Sequence, residues 1–160
     1  HAIQVPESGG DTLFCDMYAA YEGLTDEQKT FVDSHDAEHD FVQSFGKQVA
    51  PEQMEAMRAK YPVVVHPLAP THSVTGRKYL YCNPVFLSRI IGVDEAENDR
   101  WLTELWGESD NVEYQCRFHW EPDSIAFWDN RACQHYASSD YWPEIRIMER
   151  ASIVGGRPTR

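Results

Sequence analysis

The sequence lacks a long apolar run. None of its apolar stretches approaches the ~20 residues that a membrane-spanning helix needs. No basic segment followed by a short apolar core opens the chain, as a secretion signal would. We therefore expect no membrane partner and a cytoplasmic location.

Positive charge is also scarce. The chain has 14 Lys and Arg residues against 26 Asp and Glu, and its formal net charge is −12 at pH 7. Lys and Arg never stand more than two in a row. Because proteins that bind nucleic acids usually present a basic surface, the composition argues against DNA and RNA as partners.

Closely spaced cysteines are missing. The four cysteines, Cys15, Cys82, Cys116 and Cys133, are scattered without a C-x-x-C pair. This spacing fits neither a dense disulfide framework nor a structural zinc site. We predict free thiols in a reducing compartment.

The composition is sufficient for a packed core. With 42% hydrophobic and 12% aromatic residues, a chain of 160 residues is expected to form one domain over residues 1–160. The first five residues, HAIQV, are typical of the inside of a strand rather than of a chain start. This suggests that the sequence is part of a longer protein.

Three helices have recognisable starts. Thr25 followed by Gln28 forms a capping box, Pro51 occupies a first helical position, and Asp94 with Glu97 forms another N-cap. We expect the first helix to end near residue 34 and the second at residue 60. The third has an apolar stripe, formed by Trp101, Leu102, Leu105 and Trp106.

Strand signals dominate the rest of the chain. Apolar and polar residues alternate from Val112 to Trp120, which is typical of a half-buried strand. Turn formers delimit further extended stretches, at residues 2–5, 12–15, 62–66, 78–82, 125–128 and 146–154. The pattern favours an α+β, mostly β domain built around a β-sandwich or jelly roll, with the helices as insertions or packing layers.

A candidate metal ligand follows a polar turn. His135 comes shortly after the segment Trp128–Arg131, where an apolar stretch runs into polar residues. A single histidine beside a strand end is more often hydrogen-bonded than metal-bound, so both readings stay open. The neighbouring Cys133 has no evident base beside it and is expected to be a structural thiol rather than a nucleophile.

Two arginines share one face of the last predicted strand. Side chains two apart point the same way, which groups Arg146, Met148 and Arg150. If that face is solvated, the arginines are ordinary surface charge. If it is buried, two guanidinium groups form an anion site for a carboxylate, sulfonate or phosphate.

Four segments, in this order, resemble one known family. They are GGDTLF at 9–14, AEHDF at 37–41, HPLAPTHSVTGRKYLY at 66–81 and WDNRACQHYASSDYWPEIRIMERASIVGGRP at 128–158. Over nearly its whole length the chain resembles the C-terminal portion of taurine dioxygenases (TauD/TfdA). The resemblance implies a double-stranded β-helix (jelly-roll, cupin-like) core with helical insertions.

The same resemblance implies an iron and co-substrate site. In that family two histidines and one carboxylate hold Fe(II), with open positions for 2-oxoglutarate and O2. His135 matches the distal histidine ligand. Arg146 matches the arginine that binds the far carboxylate of 2-oxoglutarate, and Thr12 matches the hydroxyl that assists it, although Thr12 could simply be a strand residue.

A primary substrate site is implied as well. Arg150 matches the arginine that binds the anionic head of the substrate, while Phe41 and Phe86 match aromatic residues that line its pocket. Both phenylalanines could equally be plain core residues.

The implied activity is that of a 2-oxoglutarate-dependent dioxygenase, an enzyme that hydroxylates a small anionic compound and releases succinate and CO2. Taurine or another alkylsulfonate is the first candidate substrate, and alkyl sulfates and aryloxyalkanoates are alternatives. The family resemblance also implies a homo-oligomer. Two readings of another class are a non-catalytic β-sandwich fragment that binds an organic anion without iron, and a purely structural sandwich.

The sequence departs from the family pattern at the iron site. The family's other two ligands form an H-x-D motif upstream of GGDT, and Ile3 stands where an acidic residue would have to follow His1. We expect this motif in an N-terminal part absent from the chain, and these 160 residues alone to be inactive. Ile145 and Glu149, which flank the arginines, weaken the case for taurine itself.

Overall fold

The computed structural model describes residues 1–160 as a mixture of short helices and short strands. The helices are α1 Met17–Gly23, α2 Asp26–Ser34, α3 Phe41–Phe45, α4 Met54–Lys60 and α5 Glu95–Gly107. The strands are β1 Ala2–Gln4, β2 Thr12–Asp16, β3 Asp36–His39, β4 Val64–Pro67, β5 Leu87–Ile90, β6 Gln115–Phe118, β7 Cys133–Ala137 and β8 Ile147–Met148. Short 3-10 helices span Gly46–Gln48, Pro51–Gln53, Glu108–Asp110 and Val112–Tyr114. The predicted α+β character is confirmed.

The strands form three small antiparallel sheets. Their orders are β1-β8, β6-β2-β7 and β4-β3-β5. In the second sheet, Thr12 of β2 lies opposite Phe118 of β6 and opposite Ala137 of β7. Strand β2 therefore brings together segments that are more than 100 residues apart in the sequence.

The predicted helix starts are confirmed. The Thr25 hydroxyl accepts from the Gln28 amide at 3.2 Å, and the Gln28 side chain accepts from the Thr25 amide at 2.9 Å. Asp94 accepts from the Glu97 amide at 2.9 Å. Pro51 begins a 3-10 turn that leads into α4. The Thr25 and Asp94 side chains satisfy amides that the first helical turn leaves without a partner, whereas the start at Pro51 has no side-chain cap.

The long strand predicted over residues 112–120 is wrong in its first part. Val112–Tyr114 is a 3-10 helix, and β6 covers Gln115–Phe118 only. The Asn111 side chain accepts from the Glu113 amide at 3.1 Å, a local bond that competes with extended backbone. Val112 is consequently 73% exposed rather than buried on a sheet face.

Three other strand predictions are wrong in whole or in part. Residues 125–128 form no strand, and residues 78–82 form a single bridge between Lys78 and Thr71. The last predicted strand is reduced to Ile147–Met148, which pairs with β1. An apolar stretch becomes a strand only where a neighbouring strand offers backbone partners. The only such neighbour of β8 is β1, which is three residues long, so β8 is short as well.

The core lies between the helices and the sheets. In α5 the predicted apolar stripe is buried through Trp101, Leu102 and Leu105, with Trp106 packed against the core. The Trp101 ring stacks on Phe31 of α2, with ring centroids 3.9 Å apart. None of the helices combines the length and the apolar character needed to cross a membrane.

Two histidines are packed together in the sheet formed by β3, β4 and β5. His39 is 7% exposed, its ring stacks on Tyr81, and the ring of His66 lies edge-on with centroids 5.3 Å away. The Nε2 atom of His39 and the Nδ1 atom of His66 have no hydrogen-bond partner. Burial lowers the pKa of His39 to about 4, and burial also lowers the pKa of His66.

We expect this pair to make the protein acid-sensitive. Histidine in an unfolded chain has a pKa of about 6.5, whereas folded His39 has a pKa of about 4. Between these two pH values the unfolded chain binds a proton at His39 and the folded chain does not, which favours unfolding. The free energy of unfolding should therefore fall by about 1 to 2 kcal/mol between pH 7 and pH 5. Urea unfolding at both pH values measures this, and His39→Gln should remove most of the difference. An unchanged pH dependence in that variant would assign the effect to other groups.

Candidate functional site

The pairing of β2 with β7 places His135 in an aromatic setting. His135 lies opposite Phe14 in the register, and the His135 ring centroid is 6.3 Å from that of Phe14 and 5.1 Å from that of Trp128. Burial, and in second place the positive charge of Arg150, lower the pKa of His135. This shift favours the neutral ring, which is the form that can bind a metal.

The ring of His135 is free of competing bonds. Hydrogen bonds engage the rings of His35, His72 and His119. His135 lies in the regular strand β7, and its ring makes no hydrogen bond to another residue. Its nitrogen lone pair is thus available to a ligand.

A second group of residues meets at the start of β2. The buried indole N–H of Trp120 donates to the Thr12 hydroxyl at 2.9 Å. Arg146 donates from Nε to the Gly10 carbonyl at 2.9 Å and from Nη2 to the Thr12 hydroxyl at 3.4 Å. The guanidinium carbon of Arg146 also lies 5.9 Å from the centroid of the Trp120 ring. The structure thus brings together Thr12 and Arg146, the two residues predicted to bind 2-oxoglutarate.

Arg146 is half-buried and has no carboxylate partner. Carboxylates within 4.0 Å are found at other arginines, namely Arg77, Arg100, Arg117, Arg131 and Arg160. The two acceptors of Arg146 are neutral, so its positive charge stays uncompensated. Of its five N–H groups, three remain free to bind an anion. The Thr12 hydroxyl accepts two bonds and keeps its own proton for a ligand.

Arg150 lies beyond the regular part of the last strand. It is exposed, forms no ion pair within the chain, and is near enough to His135 to affect its pKa. The predicted alternation holds from Ile145 to Met148, because Arg146 and Met148 are half-buried while Ile145 and Ile147 are exposed. It does not extend to Arg150, since β8 ends at Met148.

Phe41 and Phe86 belong to a separate aromatic cluster, formed by Phe41, Phe45, Tyr61 and Phe86. Phe41 stacks on Phe45 at 4.6 Å and on Tyr61 at 4.3 Å, and its centroid lies 6.3 Å from that of Phe86. Phe86 is 36% exposed, so it is not a plain core residue. The aromatic neighbours of His135, in contrast, are Phe14 and Trp128.

The sequence prediction overlooked Trp120 and the residues around Gly10. A signal for Trp120 existed, because a buried indole N–H needs an acceptor. Its acceptor lies 108 residues away, and sequence spacing alone does not identify it.

The thiols on β2 and β7 do not add a reactive group. All four cysteines are free, and burial raises the pKa of Cys15 and of Cys133 to about 11. This agrees with a structural rather than a nucleophilic Cys133.

A complete metal site is not found among the 160 residues. No group of three or more His, Cys, Asp or Glu side chains is arranged to hold a metal ion. For iron, His135 offers one ligand. For a dicarboxylate, the unpaired guanidinium of Arg146 and the Thr12 hydroxyl fit well.

Comparison with known proteins identifies the family. The model of the taurine catabolism dioxygenase TauD, TfdA family matches residues 1–152. The chain belongs to the TauD/TfdA family.

The relatives of this TauD/TfdA chain act on different compounds. It is 32% identical to the alpha-ketoglutarate-dependent sulfate ester dioxygenase of Pseudomonas putida, over 98% of the chain and 54% of the relative. It is 35% identical to the alpha-ketoglutarate-dependent 2,4-dichlorophenoxyacetate dioxygenase of a Burkholderia strain, over 98% of the chain and 52% of the relative. The chain thus spans about half the length of these curated relatives.

A solved structure has the same arrangement of the chain. The crystal structure of AAD-2 in complex with Mn(II) and N-oxalylglycine is 30% identical, with a TM-score of 0.87. The match covers 99% of this TauD/TfdA chain and 63% of that protein.

We expect Thr12 to stabilise the fold as well as the site. Thr12→Val keeps the shape of the side chain but leaves the buried N–H of Trp120 without an acceptor. The free energy of unfolding should fall by about 1 to 3 kcal/mol, measured by urea unfolding. The control is Thr103→Val on the exposed face of α5, expected to change stability by less than about 0.5 kcal/mol. Equal losses in both variants would contradict a specific role for the Thr12 hydroxyl.

Proposed function

We propose that these residues form the co-substrate- and substrate-binding part of an Fe(II)- and 2-oxoglutarate-dependent dioxygenase. Its substrate is a small organic anion, with taurine or another alkylsulfonate as the first candidate. The observation that carries the proposal is the half-buried guanidinium of Arg146, which has no carboxylate partner and lies beside the Thr12 hydroxyl.

Arg146 and Thr12 bind the far carboxylate of 2-oxoglutarate in this proposal. The three free N–H groups of Arg146 suit the two oxygens of a carboxylate, and the Thr12 proton adds one more donor. In this proposal the indole of Trp120, which lies beside the pair, limits access of water. Charge-assisted bonds of this kind gain strength where water is excluded.

His135 contributes one nitrogen ligand for Fe(II). When bound together, Fe(II) and 2-oxoglutarate supply the oxidising chemistry with O2, and 2-oxoglutarate leaves as succinate and CO2. The lowered pKa of His135 keeps its ring neutral and ready to bind metal without losing a proton. The other two ligands would come from an H-x-D motif in an N-terminal part of the natural protein. These 160 residues alone are then expected to be inactive.

Arg150 supplies the positive charge for the substrate. It is unpaired and lies near His135, where the oxidation would take place. A guanidinium binds sulfonate, sulfate and carboxylate alike, so alkyl sulfates and aryloxyalkanoates are alternative substrates. Relatives named for a sulfate ester and for 2,4-dichlorophenoxyacetate support these alternatives. Phe41 and Phe86 would pack against the apolar part of the substrate.

The three small sheets would then belong to one double-stranded β-helix. In this view residues 1–160 are the C-terminal part of a single jelly-roll domain. The extensive match to the larger chain of AAD-2 supports this part of the proposal.

Calorimetric titration of the 160-residue chain with 2-oxoglutarate, without metal, tests the co-substrate site. Arg146→Met should weaken binding at least about tenfold, because it removes charged hydrogen bonds to the carboxylate. Arg89→Met is the control, since Arg89 is exposed on β5 and has no carboxylate partner within 4.0 Å. Equal affinity of wild type and Arg146→Met would refute the assignment of the carboxylate to Arg146.

A substrate panel tests the activity in the natural protein that contains these residues. Succinate release is measured with Fe(II), 2-oxoglutarate and O2 in the presence of taurine, a longer alkylsulfonate, an alkyl sulfate or an aryloxyalkanoate. We expect one anion to stimulate release and Arg150→Met to raise its KM. Stimulation by the sulfate or the aryloxyalkanoate alone would exclude the alkylsulfonate. If 2-oxoglutarate binds but no succinate forms with any compound of the panel, the metal-free anion-binding function replaces the enzyme.

A further inference from the structure

The two backbone polar groups of Gly10 are bound by two different side chains. The Gly10 N–H donates to Oδ1 of Asp140 at 2.8 Å. The Gly10 carbonyl accepts from Nε of Arg146 at 2.9 Å. One residue of the turn therefore connects Asp140 with the arginine of the proposed co-substrate site.

The turn leaves no room for a side chain. Gly9 and Gly10 have φ values of +81° and +71°, a region that favours glycine. A Cβ atom on Gly9 would lie 2.9 Å from the Asp140 carbonyl oxygen. A Cβ atom on Gly10 would lie 3.1 Å from Cδ of Arg146. The loop that carries Asp140 and Arg146 is thus pressed directly against the turn.

A short ionic network holds the same turn from the other side. Arg117 donates from Nε to Asp11 at 2.5 Å and from Nη2 to Asp140 at 3.3 Å. Asp11 also bonds with the ring of His119 at 2.9 Å, and its carbonyl accepts from the Ser138 amide at 2.9 Å. The Arg117 hydrogen bond holds the pKa of Asp11 below its usual range. The network keeps two carboxylates paired and away from an incoming anion.

We propose that Asp140 is a positioning residue for anion binding by Arg146. Together with Asp11 and Arg117 it fixes the Gly9–Gly10 turn, and the turn in turn fixes the guanidinium. This inference rests on the proposed role of Arg146 as the anchor of 2-oxoglutarate. We call the set Gly10, Asp11, Arg117 and Asp140 the Gly10 clasp.

The clasp decides which N–H groups of Arg146 face the ligand. As long as the Gly10 carbonyl accepts from Nε and the Thr12 hydroxyl accepts from Nη2, the three remaining N–H groups on the two terminal nitrogens stay available to the ligand. If the turn rotates, Nε loses its acceptor and the guanidinium gains freedom that binding must remove. Ordering such a side chain on association weakens binding by about two- to tenfold.

Two substitutions at Asp140 separate the hydrogen bond from the charge. Asp140→Ala removes the acceptor of the Gly10 N–H, and we expect the Kd for 2-oxoglutarate to rise about tenfold in the 160-residue chain. Asp140→Asn keeps an oxygen acceptor without the charge, and its Kd should stay within about twofold of wild type. Calorimetric titration measures both.

A stability control distinguishes positioning from general loosening. Thr25→Ala breaks the capping box of α2, in which Thr25 bonds to Gln28 and to no residue of the clasp, and so destabilises the fold without touching the turn. It should leave the Kd for 2-oxoglutarate unchanged although it lowers the urea midpoint. If Thr25→Ala weakens binding as much as Asp140→Ala, the effect is global and the positioning role is wrong.

Gly10→Ala tests the clasp independently, because it changes the turn rather than Asp140. Its methyl group meets Arg146 and its backbone is strained, so it should weaken 2-oxoglutarate binding like Asp140→Ala. If this variant does not fold, Asp140→Ala and Asp140→Asn still test the positioning role of Asp140. Wild-type affinity of Asp140→Ala, or equal losses in both Asp140 variants, would overturn the inference. Insensitivity of binding to Arg146→Met would instead refute the proposed function beneath it.

Discussion

Strand β2 is hydrogen-bonded to β6 on one side and to β7 on the other, and this double pairing sets the positions of the site residues. The register puts Phe14 opposite His135 and Thr12 opposite Ala137. Because side chains alternate along a strand, a shift by one residue would turn His135 to the other face of the sheet. The proposed iron ligand and the Thr12 hydroxyl are thus positioned by one and the same set of backbone hydrogen bonds.

The arginines of the chain fall into two electrostatic classes. Arg117 and Arg131 are neutralised by carboxylates, at 2.5 Å from Asp11 and from Asp129. Arg146 is held by a carbonyl and a hydroxyl, which orient the guanidinium without cancelling its charge. A protein with a net charge of −12 can therefore still present a local positive site for an anion. The neutral acceptors around Arg146 make the difference.

The aromatic cluster and the anion-binding residues are positioned by different sheets. Phe41 follows β3 and Phe86 precedes β5, and the Asp40 amide donates to the Phe86 carbonyl at 2.7 Å. The segment before Phe86 is joined to the residue that follows β2, because the Leu80 amide donates to the Met17 carbonyl at 3.0 Å. The Gln134 side chain, next to His135, donates to the Cys82 carbonyl at 2.5 Å. These bonds connect the two parts that the proposed reaction would need together.

Features that depend on neighbours in the sequence could be predicted from it. The capping box of Thr25 and Gln28 joins residues three apart, so the local sequence was sufficient to place the start of α2. The resemblance to the family located Thr12 and Arg146, which the structure brings together. The extent of the strands could not be predicted, because the 3-10 turn at Val112–Tyr114 and the short β8 depend on which backbone partners are present. Trp120 and Thr12, and likewise Arg117 and Asp11, are more than 100 residues apart and meet only when β6 pairs with β2. The sequence by itself therefore determined the family and the candidate residues. Only the tertiary structure decided how Arg146 is held, since its Gly10 and Thr12 acceptors are also more than 100 residues away along the chain.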